Sequence, residues 1–318
     1  CVNYLPLVRQ EEGGVVRAVL DLCSVLATQG HRVTLVTLDA AELPEQWGRP
    51  GEGGLNAVVL AGPATKNRLG RRSMAMLESV IGDADVVHLH DPWTPSNRQV
   101  ARVSQRCGKP YVVTIHGMLD DWSMAIRTMK KRLYLALGGR RFLERAARVH
   151  CTAEAEKQQA SKWFPQGKPV VLPYIFDLTP FHHLPGPKLA RESLGLSCDG
   201  VPQILFLSRL HPKKGVEILI DAAAILQRRK VPFHLLLAGP GEPGYCEGLR
   251  QQVGRLQLDK AVQFLGMIRG EQKVSLYQAS DLFVLPTNQE NFGLVLAEAM
   301  ACRTPVITTR GVDIWQEL

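Results

Sequence analysis

The chain has 318 residues and a formal net charge of +8, with 45% hydrophobic and only 6% aromatic residues. This length predicts two domains, each able to bury a core of its own, and the composition excludes disordered, fibrous and membrane-spanning classes. No apolar run is long enough to cross a bilayer, and the first residues show no Met, basic n-region or apolar h-segment, so we expect no secretion signal.

Short runs rich in Leu and β-branched residues alternate with longer helical stretches. This alternation predicts parallel sheets joined by crossover helices. In the first half we predict strands at residues 33–38, 58–60, 86–90, 111–116, 149–152 and 170–172. After an irregular, Pro-rich stretch the alternation restarts, with strands predicted at residues 204–208, 234–238, 262–266, 282–285 and 306–308. The restart predicts an N-terminal domain of residues 1–172 and a C-terminal domain of residues 173–318.

Helices are predicted between these strands from apolar residues at helical spacing. The first follows Gly13 and Gly14 and ends near Gly30, and the others span residues 97–106, 123–147, 216–229, 245–256 and 292–302. Only residues 1–4 are left for the first strand that a doubly wound sheet normally has, and the chain ends with no closing helix. We therefore expect truncation at both ends, with most of the first strand missing.

A basic turn follows the first predicted strand of the C-terminal domain. In open parallel sheets, ligands bind beyond the carboxyl ends of the strands. The segment Ser-Arg-Leu-His-Pro-Lys-Lys-Gly places Arg209 at a strand end and Lys214 at the start of the next helix. A guanidinium, an ammonium and the positive end of a helix together favour a phosphate or diphosphate. The alternative, a solvated basic loop, is equally consistent with this segment alone.

Two carboxylates, Glu290 and Glu298, lie eight residues apart, and the second is set in an apolar run that predicts burial. A buried carboxylate needs a partner. Asn291, Phe292 and Gly293 are predicted to start a helix and to offer backbone N–H groups to an anion, while the two carboxylates are placed to accept hydroxyls of a sugar and a ribose. The alternatives are a Glu298 paired with an Arg or Lys and a Glu290 that only balances the helix dipole.

The N-terminal domain offers weaker signals. Gly13 and Gly14 lack a surrounding Gly-x-Gly-x-x-Gly, which excludes a dinucleotide fingerprint and leaves open a plain tight turn or backbone donors for an anion. His116 ends an apolar strand, where a lone His is more often a packing residue than a catalytic one.

The end of the third predicted strand carries three side chains of the types that bind metals. His88 and His90 share one face of this strand and Asp91 follows it. The wider ligand set of a metal site is missing, so we predict no bound metal.

Residues 127–148 carry eight cations against one acid, Glu144. Apolar residues are interleaved with these charges, as in a cationic helix that lies on an anionic bilayer. The alternative is an outer helix that packs its apolar stripe inward. Nucleic acid is not indicated, since no stacking platform or binding motif is present. The cations are Arg127, Lys130, Lys131, Arg132, Arg140, Arg141, Arg145 and Arg148, and the apolar residues are Ile126, Met129, Leu133, Leu137 and Phe142.

The seven cysteines are scattered, odd in number and form no Cys-x-x-Cys pair. This pattern predicts free thiols in a reducing compartment and no structural zinc. We expect a cytoplasmic protein, peripheral on the inner face of the plasma membrane through residues 127–148.

Several motifs resemble one known family. The stretch Glu-Asn-Phe-Gly-Leu-Val-Leu-Ala-Glu that ends at Glu298 resembles the Glu-x7-Glu signature of the retaining glycosyltransferases of family 4, also called group 1, which have the GT-B fold. The turn from Ser208 to Gly215 is similar to the family's Gly-Arg-Leu-x-x-x-Lys-Gly segment. The Gly13-Gly14 turn, the Thr-Ile-His-Gly strand end and Ala-Gly-Pro-Gly-Glu follow in family order, so the resemblance covers nearly the whole chain.

The resemblance implies an α/β protein with two Rossmann-like, doubly wound parallel-sheet domains facing a cleft. The C-terminal domain would bind a nucleotide-diphosphate sugar and the N-terminal domain an acceptor, with no metal and no cofactor. The implied catalytic residues are His116, Arg209, Lys214 and Glu290. The implied donor-binding residues are Gly13, Gly14, Gly239, Asn291, Phe292, Gly293, Leu294 and Glu298.

The chain departs from the family pattern at three places. Ser208 and Arg303 replace glycines, and the hinge, often Pro-Asn-Gly-Val-Asp, has Tyr174 in place of the Asn. From the resemblance we expect retaining transfer of a hexose from a UDP- or GDP-sugar to a hydroxyl of a glycan or lipid-linked glycan, in cell-envelope or exopolysaccharide synthesis. The alternatives are a sugar-nucleotide-binding homologue without turnover, which serves as a partner or regulator, and a sugar-nucleotide 2-epimerase on the same fold.

Overall fold

The computed structural model describes residues 1–9, 13–39, 41–44, 47, 54–62 and 68–318. The chain divides into two compact units, Cys1–Phe176 and Asp177–Leu318. Each unit has a parallel sheet with crossover helices, as the alternation of short and long runs predicts.

The sheet of the first unit has seven parallel strands among the described residues, in the order β3-β2-β1-β4-β5-β6-β7. The strand β1 pairs with both β2 and β4, with Val2 opposite Thr34 on one side and Val87 on the other. A first strand of three residues is therefore present and central, and the expected loss of part of this strand stays a prediction. The strands are Val2–Tyr4 (β1), Val33–Thr37 (β2), Leu55–Val59 (β3), Val87–His90 (β4), Tyr111–Thr114 (β5), Arg148–Cys151 (β6) and Pro169–Val171 (β7).

The helices of the first unit follow the apolar periodicity. In α1 the buried Val16, Val19 and Cys23 pack with Leu35 of β2, because residues three and four apart share one helix face. Two helices, α2 and α7, were not predicted from the sequence. The helices are Gly14–Thr28 (α1), Arg71–Gly82 (α2), Pro95–Arg106 (α3), Asp121–Ala125 (α4), Thr128–Tyr134 (α5), Arg140–Glu144 (α6) and Glu154–Ala160 (α7).

The single helix predicted for residues 123–147 is wrong, because the segment is broken twice. Arg127 has a φ of 54° before α5. Between α5 and α6 the chain forms a π-helical segment, Leu135–Gly139, in which Gly138 has a φ of 113°. A Cβ at Gly138 would lie 2.6 Å from Nη2 of Arg98, which donates to the carbonyl of Leu137 at 2.9 Å. Apolar spacing predicts helix here but contains no signal for these interruptions.

The second unit has a five-stranded parallel sheet in the order β10-β9-β8-β11-β12. All five predicted strands are confirmed to within one residue, and the central strands are fully buried at Leu205, Phe206, Leu237 and Phe283. The strands are Gln203–Leu207 (β8), His234–Ala238 (β9), Val262–Gly266 (β10), Leu282–Leu285 (β11) and Val306–Thr308 (β12).

Helices α8 and α11 of the second unit were not predicted, whereas α9, α10 and α12 were. The helices are Lys188–Leu194 (α8), Val216–Arg228 (α9), Pro243–Arg255 (α10), Gly270–Gln278 (α11) and Leu294–Ala301 (α12). Strand order reverses between β8 and β11 in this unit and between β1 and β4 in the first. Such switch points are where doubly wound sheets bind ligands, at the carboxyl ends of the strands.

Candidate functional site

The loops after β8 and β11 meet at the switch point of the second unit. After β8 the chain makes a 3₁₀ turn at Pro212–Lys214, and Gly215 starts α9 with a φ of 66°. A Cβ at Gly215 would lie 2.1 Å from the carbonyl oxygen of Pro286. Only glycine permits this approach, because a positive φ and a missing side chain are both required.

Hydrogen bonds fix the two loops to one another. The carbonyl of Lys213 accepts from the Thr287 hydroxyl and from the Asn288 backbone N–H, both at 2.9 Å. The Asn288 side-chain amide donates to the carbonyl of Pro212 at 3.1 Å. The basic turn and the acidic segment, which are about eighty residues apart in sequence, therefore form one structural element.

Lys214 and Glu290 form an ion pair across these loops. Their side chains are only 9% and 19% exposed, so the alternative of a solvated basic loop is wrong for Lys214. Burial, followed by the nearby charges of Arg209 and Lys213, lowers the pKa of Lys214 to about 7. The Glu290 carboxylate acts in the opposite direction because a neighbouring negative charge favours the ammonium. The charge of Lys214 therefore depends on which anions are close to it.

Arg209 completes a cationic group at this edge. It is exposed directly after β8 and lies close enough to Lys214 to lower the pKa of that side chain. In the part of the chain that the structure describes, Arg209 has no carboxylate within ion-pair distance. A guanidinium without a carboxylate partner, next to a lysine whose charge Glu290 balances only in part, favours a bound anion.

Gly239, at the end of β9, lets a third strand end approach the same edge. Its φ is 130°, and a Cβ there would lie 1.9 Å from the carbonyl oxygen of Ser208. Glu242 then caps α10 by accepting from the backbone N–H groups of Gly244 and Tyr245, at 3.3 and 3.1 Å. The close packing of β8 and β9 at this point therefore depends on glycine.

The segment that contains Glu290 is held by the loop after β12. The Glu290 N–H donates to the carbonyl of Gly311 at 2.7 Å, and its carbonyl accepts from Asp313 at 2.9 Å. Gly293, with a φ of 69°, is the N-cap, so α12 begins at Leu294 and not at Phe292 as predicted. The predicted anion donors of residues 291–293 thus precede the helix.

Glu298 is buried in α12, 3% exposed, and has two partners on α11. Lys273 donates from Nζ to Oε1 at 2.6 Å, and the Tyr277 hydroxyl donates to Oε2 at 2.9 Å. Burial and the Glu298 charge raise the pKa of Tyr277 well above its usual value. Pairing with a lysine, one of the two interpretations from the sequence, is what the structure shows. The partners were missed because α11 was not predicted.

In the first unit, His116 belongs to a row of buried hydrogen bonds. The Tyr174 hydroxyl lies 2.5 Å from Nδ1 of His116, whose Nε2 lies 3.1 Å from Nδ1 of His90. Nε2 of His90 lies 3.2 Å from Oδ1 of Asn3. Because Oδ1 only accepts, each neutral ring must donate from Nε2, and Tyr174 must donate to His116. Both ring nitrogens of His116 therefore have partners within the chain.

A second row runs beside the first. Nε2 of His88 lies 2.6 Å from the Thr114 hydroxyl, which lies 2.9 Å from Nδ1 of His150. Nε2 of His150 lies 2.7 Å from the carbonyl of Leu172. Burial favours the neutral form of both rings, and the same donor and acceptor count then places their protons on Nε2.

Burial is the main reason that all four histidines stay uncharged. It lowers the pKa of His88 to about 3 and that of His90 and His116 well below the usual value, and the neighbouring histidines lower these pKa values further. The pKa of His150 is also lowered by burial. A protonated ring in this cluster would lose an acceptor that the hydrogen-bonded rows use.

The switch point of the first unit holds two residues in a strained conformation. Asp91 and His116 have φ values of 80° and 52°, which are uncommon for residues other than glycine and cluster at functional sites. The Asp91 carboxylate accepts from the Trp93 N–H at 2.5 Å and the Thr94 hydroxyl at 2.8 Å. Among the described residues, no group of three or more His, Cys, Asp or Glu side chains is arranged to hold a metal ion.

The Gly13-Gly14 turn lies at the same switch point. Gly13 is the N-cap of α1 with a φ of 83°. A small pocket of about 40 Å³ is lined by Val15 and Val16 of α1, by His90 at the end of β4 and by Asp91 directly after it. The structure therefore brings the start of α1 and the histidine row together in the first unit.

Two units of this kind, each with a doubly wound parallel sheet, form the GT-B fold, which solved structures similar to this chain share. Residues 13–174 match the family model described as "Glycosyl transferase 4-like domain", and residues 195–318 match "Glycosyl transferases group 1". The chain belongs to the group 1 glycosyltransferases and is a transferase by family.

Relatives match this chain over most of its length. An uncharacterized glycosyltransferase of Methanocaldococcus jannaschii is 30% identical over 93% of this chain and 76% of its own length. A D-inositol 3-phosphate glycosyltransferase of Pseudarthrobacter chlorophenolicus is 28% identical, with 94% and 74% covered. A phosphatidyl-myo-inositol mannosyltransferase of Mycobacterium tuberculosis is also 28% identical, with 93% and 74% covered.

Solved structures share the fold at lower identity. Anabaena HepE in complex with UDP and glucose has a TM-score of 0.74 and 23% identity, covering 100% of this chain and 82% of its own. WaaG, a glycosyltransferase involved in lipopolysaccharide biosynthesis, has a TM-score of 0.67 and 17% identity, covering 100% and 83%. Among the described residues, no helix is both long enough and apolar enough to span a membrane.

Proposed function

We propose that this protein is a retaining glycosyltransferase that moves a hexose from a UDP- or GDP-sugar to a hydroxyl of a glycan or lipid-linked glycan, in cell-envelope or exopolysaccharide synthesis. The observation that carries the proposal is the cluster of Arg209, Lys214 and Glu290 at the switch point of the second unit. A neighbour of the same fold was solved with UDP and glucose, and such a donor suits a cationic edge.

The proposed chemistry is charge stabilisation of the leaving group. Arg209 and Lys214 hold the diphosphate and offset the negative charge that develops as the bond from the sugar carbon to the phosphate oxygen breaks. The acceptor oxygen bonds to the same face of that carbon, and its proton passes to the leaving phosphate oxygen. No metal or cofactor is required, because cationic side chains occupy the position where other transferases use a divalent ion.

Glu290 exchanges partners in this proposal. When the donor diphosphate binds Lys214 in place of Glu290, the Glu290 carboxylate accepts hydrogen bonds from hydroxyls of the donor sugar. The backbone of Asn291, Phe292 and Gly293 contacts the same sugar. Gly239 and Leu294 line the donor. Glu298 accepts ribose hydroxyls while it keeps Lys273 and Tyr277, since a carboxylate offers about four acceptor sites.

In the first unit we propose that His116 contacts the transferred sugar and that Gly13 and Gly14 approach its phosphate. Both nitrogens of His116 already have partners, so a sugar contact through Nδ1 requires the Tyr174 hydroxyl to move. The acceptor is proposed to bind this unit. Relatives named for inositol 3-phosphate and phosphatidylinositol make these two compounds the first acceptors to test.

Calorimetric titration with UDP-, GDP- and ADP-sugars shows which donor binds. NMR of the protein incubated with that donor, with and without an acceptor, then tests the proposal. Transfer of the sugar with its anomeric configuration unchanged supports it. Binding without any turnover would instead favour the homologue that acts as a partner or regulator. Conversion of the donor sugar in the absence of acceptor would favour a 2-epimerase. Inversion of the anomeric configuration would overturn the retaining mechanism alone.

We also propose a cytoplasmic location on the inner face of the plasma membrane. The basic segment of residues 127–148 supports a membrane surface as a partner. All seven cysteines are free thiols, as a reducing compartment allows.

A further inference from the structure

The first unit contains a cavity of about 960 Å³ that includes none of the residues proposed for sugar transfer. Four arginines line it, and its apolar lining includes Leu137 and Trp163. The arginines are Arg132, Arg140, Arg141 and Arg145.

The cavity forms where the basic segment is broken. The π-helical segment Leu135–Gly139 turns the chain between α5 and α6, so that arginines from both helices face one space. The Tyr111 hydroxyl, at the start of β5, donates to the carbonyl of Phe142 in α6 at 2.7 Å. The Gln166 N–H, shortly before β7, donates to Glu144 at 3.3 Å. These contacts place the cavity at the amino edge of the sheet, opposite the edge that carries His116.

The positive charge of this cavity is not neutralised by the protein. The four arginines are exposed, and none has a carboxylate within ion-pair distance in the part of the chain that the structure describes. The one acidic lining residue, Glu144, accepts the Gln166 N–H. Four cations against one carboxylate favour an anion with several oxygens, because guanidinium groups match phosphate geometry.

A row of apolar side chains beside the cavity decides between soluble and lipid anions. Met129, Leu133 and Leu137 are 87%, 59% and 66% exposed. Met129 and Leu133, four residues apart, share one face of α5, and Leu137 follows in the π-helical segment. The prediction of an inward-packed stripe is therefore wrong for these three residues, although Phe142 is buried at 6%. A soluble polyanion would leave these apolar side chains exposed to water, whereas a lipid surface would bury them.

We propose that the cavity binds the phosphate headgroups of an anionic bilayer while Met129, Leu133 and Leu137 enter the acyl boundary. This inference rests on the proposed membrane location and names the site and the ligand. It is independent of sugar transfer, because no residue of the cavity belongs to the donor site. Headgroup phosphates satisfy the guanidinium groups, and the apolar row supplies the part of the binding that salt does not screen.

Vesicle flotation of the whole chain tests the charged part of the site. We expect binding to vesicles of phosphatidylcholine and phosphatidylglycerol in equal parts, and none to phosphatidylcholine alone. The double variant Arg140→Gln and Arg141→Gln should bind about 30-fold more weakly, since each near-surface arginine contributes about 1 kcal/mol. The matched control, Arg71→Gln and Arg72→Gln in α2, removes the same charge from exposed positions of the same unit and should bind within about twofold of the parent. An equal loss in both variants would overturn the proposal.

The apolar row has its own test. Met129→Gln and Leu133→Gln together should abolish the binding that remains at high salt, whereas the parent keeps part of it. If the apolar variant binds as the parent does at every salt concentration, or if a short RNA binds the cavity and displaces the vesicles, the lipid assignment fails. Unchanged circular dichroism shows that a variant is folded, and sugar-nucleotide titration of the same samples reports separately on the proposed transferase function.

Discussion

The switch points of the two units use different physical means to present polar groups. In the second unit, Glu290 and Glu298 form ion pairs with the lysines Lys214 and Lys273. In the first unit, polar groups of similar burial form rows of neutral hydrogen bonds through His90, His116 and their neighbours. Ion pairs can exchange one charged partner for a charged ligand, whereas a neutral row loses an acceptor as soon as one of its members is protonated. We therefore expect a charged ligand to change the ion pairs of the second unit and acid to disrupt the neutral rows of the first unit.

Acid should distinguish the two units most strongly. The folded-state pKa values of His88, His90, His116 and His150 lie below their usual values, so the unfolded chain takes up protons first as pH falls below about 6.5. Stability is therefore present above pH 6.5 and is lost toward lower pH, by up to about 1.4 kcal/mol per pH unit for each histidine. Hydrogen exchange measured by mass spectrometry between pH 6.5 and 5 should show the first unit opening first.

A non-titrating substitution provides the control for the acid experiment. In His88→Gln the side-chain amide can still donate to Thr114, and the variant should show a shallower loss of stability with acid. If both units open together, or if His88→Gln changes nothing between pH 6.5 and 5, the neutral rows do not set the acid response.

Removal of the Glu290 charge should have the largest effect on transfer. Glu290→Gln leaves Lys214 without its carboxylate and removes an acceptor for sugar hydroxyls, so we expect turnover to fall by about 10² to 10³ while nucleotide binding is kept. Rates with radiolabelled donor measure this loss. Glu271→Gln, at an exposed position in α11, is the matched control and should keep parental turnover. Loss of nucleotide binding in Glu290→Gln would mean that the carboxylate acts in binding alone.

The Glu298 pair should contribute more to stability than to charge balance. Glu298→Leu leaves Lys273 without its partner and the Tyr277 hydroxyl without an acceptor, and we expect it to lower the free energy of unfolding by about 3 kcal/mol. Adding Lys273→Met should cost less than the sum of the single changes by about 1 to 3 kcal/mol. Urea denaturation of the two single variants and the double variant measures this coupling. Strictly additive losses would show that the two side chains do not interact.

The smallest expected effect belongs to the hydroxyl that ends the histidine row. Tyr174→Phe removes the donor to Nδ1 of His116 and should lower the stability of the first unit by about 1 kcal/mol. Nitrogen-15 NMR of the His116 ring should show a shift at Nδ1 with the proton still on Nε2, because Asn3 and His90 fix that tautomer from the other side. A proton that moves to Nδ1 would contradict the proposed direction of the row.

The fold was predictable wherever one short run of residues carries the signal. The five strands of the second unit are runs rich in apolar residues, and each was confirmed within one residue. Strands β8, β9 and β11 are mostly buried, whereas β10 and β12 at the sheet edges are partly exposed. Helix α2 was missed although its buried Ser73, Leu77 and Ile81 recur at helical spacing. The breaks in the basic segment depend on a left-handed Arg127 and on Gly138 packed against Arg98, and neither has a periodic signature.

The candidate site was predictable as a set of residues but not as a set of contacts. The motifs identified Arg209, Lys214 and Glu290 as candidate site residues. They lie close together because the loops that carry them meet at the switch point of the sheet. The partners of Glu298 and of His116 lie 21 to 58 residues away in sequence, on a helix and a hinge whose roles depend on tertiary packing. Arg303, which stands where the family has Gly, keeps the left-handed turn with a φ of 64°.

Calorimetric titration of UDP tests most directly whether the carboxyl edge of the second unit binds a nucleotide diphosphate, as we propose. Arg209→Gln should weaken UDP binding about 10- to 100-fold, because a charged hydrogen bond contributes about 1.5 to 3 kcal/mol. Arg303→Gln, at an exposed position beyond the other end of α12, should bind within about twofold of the parent. Equal affinities for the parent and Arg209→Gln would contradict the account.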